Sequence, residues 1–83
     1  MTAEFCVADL GNSRLKWGWV DQSACLKRSI SLPLNDESAW DATWADWGLG
    51  RQDPPFWAVA TVNPPMAERL GHFLRGRGVD RIR

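Results

Sequence analysis

The chain has no tyrosine, only one histidine and two cysteines, and no excess of either charge. Each shortage excludes something. His72 stands far in sequence from Cys6 and Cys25, so the close ligand spacing of a zinc site is missing. Ten basic and ten acidic residues cancel, which removes the electrostatic footprint of a dedicated nucleic-acid binder. Arg69, Arg75, Arg77, Arg81 and Arg83 then read as a solvated face rather than a nucleic-acid patch. No apolar run approaches the ~20 residues needed to span a bilayer, and no leader pattern opens the sequence. The expectation is a reduced, cytoplasmic protein with two buried thiols and no membrane partner. Neither Gly-x-x-x-x-Gly-Lys-Ser/Thr nor Gly-x-Gly-x-x-Gly occurs, so two common phosphate-binding loops are ruled out.

What is present is a globular composition. The 83 residues are 45% hydrophobic and 24% charged, too apolar for a disordered chain. One domain fits this length, and it buries only about 60% of the surface its unfolded chain exposes. Six tryptophans are many for this size. They fall in strand-like stretches or on one helical stripe, which makes them core. An exposed aromatic platform for bases or prolines is the alternative.

Residues 4–10 form a short apolar run of strand length. Gly11-Asn12-Ser13 is turn chemistry, since Gly and Asn tolerate positive φ and Ser can bond its own backbone. Residues 14–20 resume a strand, with Leu15, Trp17 and Trp19 on one face and Lys16, Gly18 and Val20 on the other. After a polar turn at 21–23, residues 24–32 alternate, placing Ala24, Leu26, Ile30 and Leu32 together. Arg28 interrupts that face, which suits an edge strand. A helix follows, capped by Asn35 or Asp36 and striped by Trp40, Trp44 and Trp47. Gly48 and Gly50 stop it, and 51–55 make a loop. Residues 56–62 are almost continuously apolar, as in a strand buried on both faces. Asn63 caps a second helix with Pro64 at its first position. That helix is striped by Met66, Leu70, Phe73 and Leu74 and ended by Gly76 and Gly78. Residues 79–83 begin another strand. The expected fold is α/β with a mixed sheet, in the order β-β-β-α-β-α-β and the spatial strand order 3-2-1-4-5.

The segment with chemical content is Asp9-Leu10-Gly11-Asn12-Ser13-Arg14-Leu15-Lys16. A glycine lets backbone N–H groups approach phosphate oxygens. Asn12 and Ser13 add small hydrogen-bonding side chains. Asp9 can hold Mg²⁺, directly or through water, and Lys16 or Arg14 can offset phosphate charge.

Asp9 to Gly18 resembles the opening motif of type III pantothenate kinases, which runs Asp-aliphatic-Gly-Asn-Ser/Thr between two strands. Val59-Ala60-Thr61-Val62-Asn63-Pro64-Pro65 is similar to that family's second landmark, a strand ending in a Ser-Val-Val-Pro-type run before a helix. Thr61 stands where Ser is usual, and Asn63 where an aliphatic residue is usual. The resemblance covers the chain but only the N-terminal part of the family's length. It implies a ribonuclease-H-like fold of the acetate-kinase, Hsp70 and actin superfamily. Residues 1–83 would then be the N-terminal nucleotide- and phosphate-binding subdomain of a longer kinase. It also implies ATP-dependent phosphorylation of pantothenate, the first step of coenzyme A synthesis. The ligands would be ATP, Mg²⁺ and a monovalent cation (K⁺ or NH₄⁺), and the protein would be a homodimer. Phosphate contact is carried over to Asp9 through Lys16, and metal contact to Asp9. No catalytic residue is carried over. Gly78-Val79-Asp80-Arg81 matches the family's Gly-x-Asp-Arg base motif by letter, but it comes too early in the chain. The 83 residues alone are therefore expected to be inactive. Two other classes remain open: a non-catalytic regulator of the same fold, such as a transcriptional accessory protein, and a tryptophan-rich binding module.

Overall fold

The computed structural model describes residues 4–50 and 55–83. Most of the loop expected at 51–55 thus lies outside the described residues. Six elements follow in order: β1 (Phe5–Leu10), β2 (Arg14–Val20), β3 (Leu26–Pro33), α1 (Glu37–Asp46), β4 (Phe56–Thr61) and α2 (Pro64–Arg75). The chain is a small α/β domain with a mixed four-stranded sheet of order β3-β2-β1-β4 and two helices. β1 pairs antiparallel with β2 and parallel with β4.

The seventh element of the expected order does not form as a strand. Residues 79–83 make one isolated parallel bridge, Ile82 to Trp57. Its bonds are Trp57 N–H to Arg81 O at 2.9 Å, Arg83 N–H to Trp57 O at 2.7 Å and Val59 N–H to Arg83 O at 2.8 Å. The observed order is therefore β-β-β-α-β-α, with a fifth sheet position begun rather than built.

Both helices pack on the same side of the sheet. Cys6, Ala8, Leu10, Leu15, Trp17, Trp19, Leu32 and Trp57 share one buried cluster with Trp40, Trp44, Leu70, Phe73 and Leu74 of the helices. All six tryptophans belong to it, none more than 7% exposed. They are core, and the platform alternative has no exposed ring to stand on. Trp17 meets Trp57 edge-on at 5.1 Å, and Trp57 stacks with Trp44 at 6.4 Å. The indole N–H groups of Trp17 and Trp57 have no hydrogen-bond partner among the described residues. Trp40 Nε1 instead donates to Pro33 O at 2.9 Å, pinning α1 to the end of β3.

One-sided packing corrects the expectation that 56–62 is buried on both faces. Trp57 is fully buried, but Ala60 and Thr61 are exposed and Val62 is 71% exposed. The bare face has three rows running across β4, β1, β2 and β3. Phe56, Phe5, Val20 and Leu26 form the first. Ala58, Val7, Gly18 and Ser29 form the second, and Ala60, Asp9, Lys16 and Ser31 the third. Phe5 and Phe56 stack at 5.2 Å, with the Arg83 guanidinium 4.7 Å from the Phe56 ring.

A second correction concerns β3. A bulge between Trp19 and Val20 lets Val20 pair with Leu26 while Trp19 pairs with Arg28. The extra residue flips the side-chain alternation. Leu26 leaves the face of Ile30 and Leu32 and lies 62% exposed on the bare side. Arg28 folds back onto Asp46 of α1 at 3.6 Å, and the Lys27 ammonium sits 4.4 Å from the Trp19 ring. Cys25 is exposed and only Cys6 is buried, which corrects the expectation of two buried thiols. Cys25 lies in the turn before β3, where its N–H donates to Asp21 Oδ1 at 3.1 Å and Ala24 takes a positive φ of 62°.

Helix ends follow their chemistry. Asp36, one of the two expected caps, accepts from Ala39 N–H at 3.2 Å and from the Ser38 hydroxyl. Gly48, at φ 66°, closes α1 with its N–H on Ala45 O at 3.1 Å, while Leu49 N–H reaches Trp44 O at 3.2 Å. This paired ending satisfies two otherwise orphaned carbonyls, and it turns Leu49 into the core, where it is fully buried.

The bond from the Ser38 hydroxyl, followed by that from Ala39 N–H, holds the Asp36 carboxyl below its ordinary value of 3.8. A carboxylate favoured in the fold stabilises above its unfolded pKa, and that contribution fades as pH falls through the lower folded value. Asp36→Ala should therefore lower stability at neutral pH. It should also flatten the acid limb of the stability curve below about pH 4. Urea unfolding of both proteins between pH 2 and 7 checks this; parallel curves over that range would contradict it.

Candidate functional site

β1 and β4 are parallel, and their carboxyl ends finish side by side, Leu10 opposite Thr61. In open α/β sheets, ligands bind outside the carboxyl ends of the strands. Here two segments converge at that place. The chain leaving β1 turns through Gly11, Asn12 and Ser13 into β2. The chain leaving β4 passes Val62 and Asn63 into α2.

Two bonds join the segments. Val62 N–H donates to Leu10 O at 3.1 Å, and Asn63 Nδ2 donates to Gly11 O at 3.4 Å. Asn63 is thus the N-cap residue by position, but its side chain makes no cap bond. It braces the turn instead, 52 residues away in sequence. This is the role the sequence hid: capping and bracing need the same amide, and only tertiary structure shows which one wins. The signal available was the proximity of Asn63 to Pro64, which reads as a helix start either way.

The turn itself is closed by Gly11 N–H on Arg14 O at 3.0 Å. That spends the glycine's own donor. A Cβ on Gly11 would meet only Arg14 O, at 3.5 Å, an ordinary contact, so its fit to the turn does not itself demand glycine. Asn12 and Ser13 are exposed, and among the described residues neither makes a hydrogen bond through backbone N–H or side chain. They are the turn's free donors.

The structure divides the eight candidate positions into three groups. Leu10 and Leu15 are fully buried and pair across β1 and β2 on the helix side, where they anchor the turn from below. Arg14 is held on the sheet: its Nε donates to Ser31 Oγ at 3.1 Å and its Nη2 to Ser31 O at 3.1 Å. Of the two cations expected to offset phosphate charge, that pinning leaves Lys16. Asp9, Asn12, Ser13 and Lys16 are left to face a ligand, around a Gly11 whose N–H and carbonyl are both bonded within the protein. Asp9 and Lys16 are direct cross-strand partners on the bare face, both exposed. An acidic and a basic residue therefore stand side by side just below the turn, with no ion pair between them. A cleft of about 410 Å³ runs beside Asp9, floored by Val7, Ala58 and Ala60 and bounded by Arg83.

The helix N-terminus adds less than it would elsewhere. Four N–H groups usually point out of a helix start and attract anions. Pro64 and Pro65 occupy the first two positions and carry none. Ala67 N–H is taken by Asn63 O at 3.0 Å. The hairpin, not the helix, is the donor-rich side of the site.

Among the described residues, no group of three His, Cys, Asp or Glu side chains could hold a metal. One carboxylate, Asp9, does fit Mg²⁺ carried in by phosphates, because that ion takes one or two protein carboxylates and keeps its waters. His72 is exposed on α2, beside a polar groove that includes Glu37, Asp41 and Arg77. Asp80 is exposed and lies beyond α2, away from the turn in sequence. No protein-family model, curated protein or solved structure matches this chain.

Proposed function

We propose that this chain is the phosphate-binding half of an ATP-dependent phosphotransferase with ribonuclease-H-like strand order, of the type III pantothenate kinase kind. The observation that carries the reading is the bracing of the Gly11–Ser13 turn by Asn63 at the carboxyl ends of two parallel strands. It joins the two sequence landmarks in one place. In this reading Asn12 and Ser13 donate to phosphate oxygens, Asp9 takes a Mg²⁺ that arrives with the nucleotide, and Lys16 offsets phosphate charge. The pantothenate pocket, the catalytic base and the monovalent-cation ligands would lie on a further segment of the kinase, so these 83 residues transfer no phosphoryl group by themselves.

A non-catalytic regulator is the second reading. It is favoured by Asp9 being the only acidic residue in β1, β2, β4 and the segments that leave β1 and β4.

Amide-resolved NMR with Mg²⁺ and ADP tests the phosphate site directly. Titration should shift the amide signals of 11–16, with weak affinity on the order of millimolar. Asp9→Ala should abolish the Mg²⁺ dependence of those shifts while leaving the rest of the spectrum in place. Signals at 11–16 that stay still up to about 10 mM nucleotide would sink the reading. Pantothenate-dependent ADP release by the chain alone would sink the claim that it is half a site.

A further inference from the structure

We infer that Ser31, on the edge strand β3, is a further phosphate-binding residue of the turn site, and that Arg14 positions it. The inference rests on the phosphate reading and extends that site across a third strand.

The third row of the bare face runs from Asp9 through Lys16 to Ser31. Residues directly opposite in an antiparallel pair have Cβ atoms about 4.5–5.5 Å apart. Lys16 and Ser31 are such a pair, and both are exposed. Lys16 makes no ion pair among the described residues. Its side chain is long and flexible, so an anionic oxygen met by the ammonium above the row also comes within reach of the Ser31 hydroxyl.

Ser31 is singled out by the way it is held. Arg14 Nε donates to Ser31 Oγ at 3.1 Å, and Arg14 Nη2 donates to Ser31 O at 3.1 Å. A serine hydroxyl has two lone pairs to accept with and one hydrogen to give. The guanidinium occupies a lone pair, and among the described residues the hydrogen has no acceptor. A cation on the oxygen also polarises the O–H bond and strengthens it as a donor. The bond to the carbonyl holds the backbone by the same fork. Ser29, one row away on the same face, has no side-chain bond among the described residues.

The row therefore has a direction. Asp9 lies on one side of Lys16. Ser31, backed by the Arg14 guanidinium, lies on the other. A bare anion is drawn to one side and repelled by the other. A phosphate that carries Mg²⁺ is matched at both ends, with its metal over Asp9 and its free oxygens over Lys16 and Ser31. The ligand class is a metal-bound phosphate, and the row sets which way round it lies.

Amide-resolved NMR titration with ADP and Mg²⁺ tests this. In the parent, the amide of residue 31 should shift together with those of 11–16. Ser31→Ala should weaken binding about three- to tenfold. Ser31→Thr keeps a hydroxyl on a residue that suits a strand, and it should recover most of that loss. Arg14→Lys keeps the charge but not the fork. It should weaken binding in the parent and change nothing further in the Ser31→Ala background, because the two residues act as one unit. Amide signals away from the site that stay in place confirm that each variant is folded. Unchanged affinity in Ser31→Ala, beside a parent whose 11–16 amides do shift, would overturn this inference and leave the phosphate reading standing. Equal losses from Arg14→Lys in both backgrounds would overturn the positioning role. A parent whose 11–16 amides never shift would remove both readings together.

Discussion

Trp17→Ala should remove a large share of the stability of the molecule. Trp17 is 1% exposed and lies at the centre of the aromatic cluster, edge-on to Trp57 at 5.1 Å, 6.0 Å from Phe73 and 6.3 Å from Trp47. It is therefore the side chain through which β2, β4, α2 and the end of α1 all touch. Truncating a buried tryptophan to alanine costs about 3–5 kcal/mol. A chain of 83 residues has a total stability of only about 4–12 kcal/mol. The loss is thus a large share of the whole. With a urea slope of about 1 kcal/mol/M, the midpoint should fall by about 3 M or more, read by far-UV circular dichroism. Trp17→Phe should cost much less. It keeps a ring in the cluster and removes an indole N–H that has no partner among the described residues, a group whose desolvation goes unrepaid. Equal losses in the two variants would mean that the ring contacts are not what holds the cluster together.

The second large effect is expected at Gly18. Its strand position would ordinarily favour a β-branched residue. But a Cβ built there meets Val7 Cγ2 at 2.9 Å and Leu26 Cδ1 at 3.2 Å. Leu26 is exposed and can swing away, whereas Val7 is β-branched and stiff about its first torsion. Overpacking of this kind costs about 1–3 kcal/mol, more than the propensity gain returns, so Gly18→Val should destabilise. The cost belongs to one contact, so Val7→Ala should relieve it. The double variant V7A/G18V should be less destabilised than the two single losses added together, by about 0.5–3 kcal/mol of coupling. Strict additivity in urea melts would show that the steric account is wrong.

Much of the fold was legible because periodicity and end signals agreed. The split of Leu15, Trp17 and Trp19 from Lys16, Gly18 and Val20 follows from a period of two, and the sheet keeps it. The stripe Trp40, Trp44, Trp47 and the glycines after it mark α1 and its end. What the sequence could not show depends on which neighbours arrive. Phe56 to Val62 is apolar enough to be covered twice, and nothing local says that both helices will choose the same side. A single bulge at Trp19 and Val20 turned Leu26 outward, and no residue between 24 and 28 announces it. Residues 79–83 have strand composition, but among the described residues Ile82 alone of them makes a bridge. At the candidate site, the turn and Asp9 were readable from residue type alone. The Asn63 brace was not, because its partner is 52 residues away. The pinning of Arg14 on Ser31 was hidden for the same reason.

The six buried indoles also make the molecule its own optical reporter. Five of them, Trp17, Trp19, Trp44, Trp47 and Trp57, are linked by ring contacts of 5.1 to 6.4 Å, so excitation absorbed by one of these five should pass among them before any photon is emitted. Coupled transitions of this kind should give the folded chain a strong near-ultraviolet dichroic band that disappears when the cluster opens. Every ring faces the helix side, whereas Asp9, Lys16 and the turn face the other way. The intrinsic emission should therefore follow the integrity of the core closely while staying nearly silent to anything that binds at the turn.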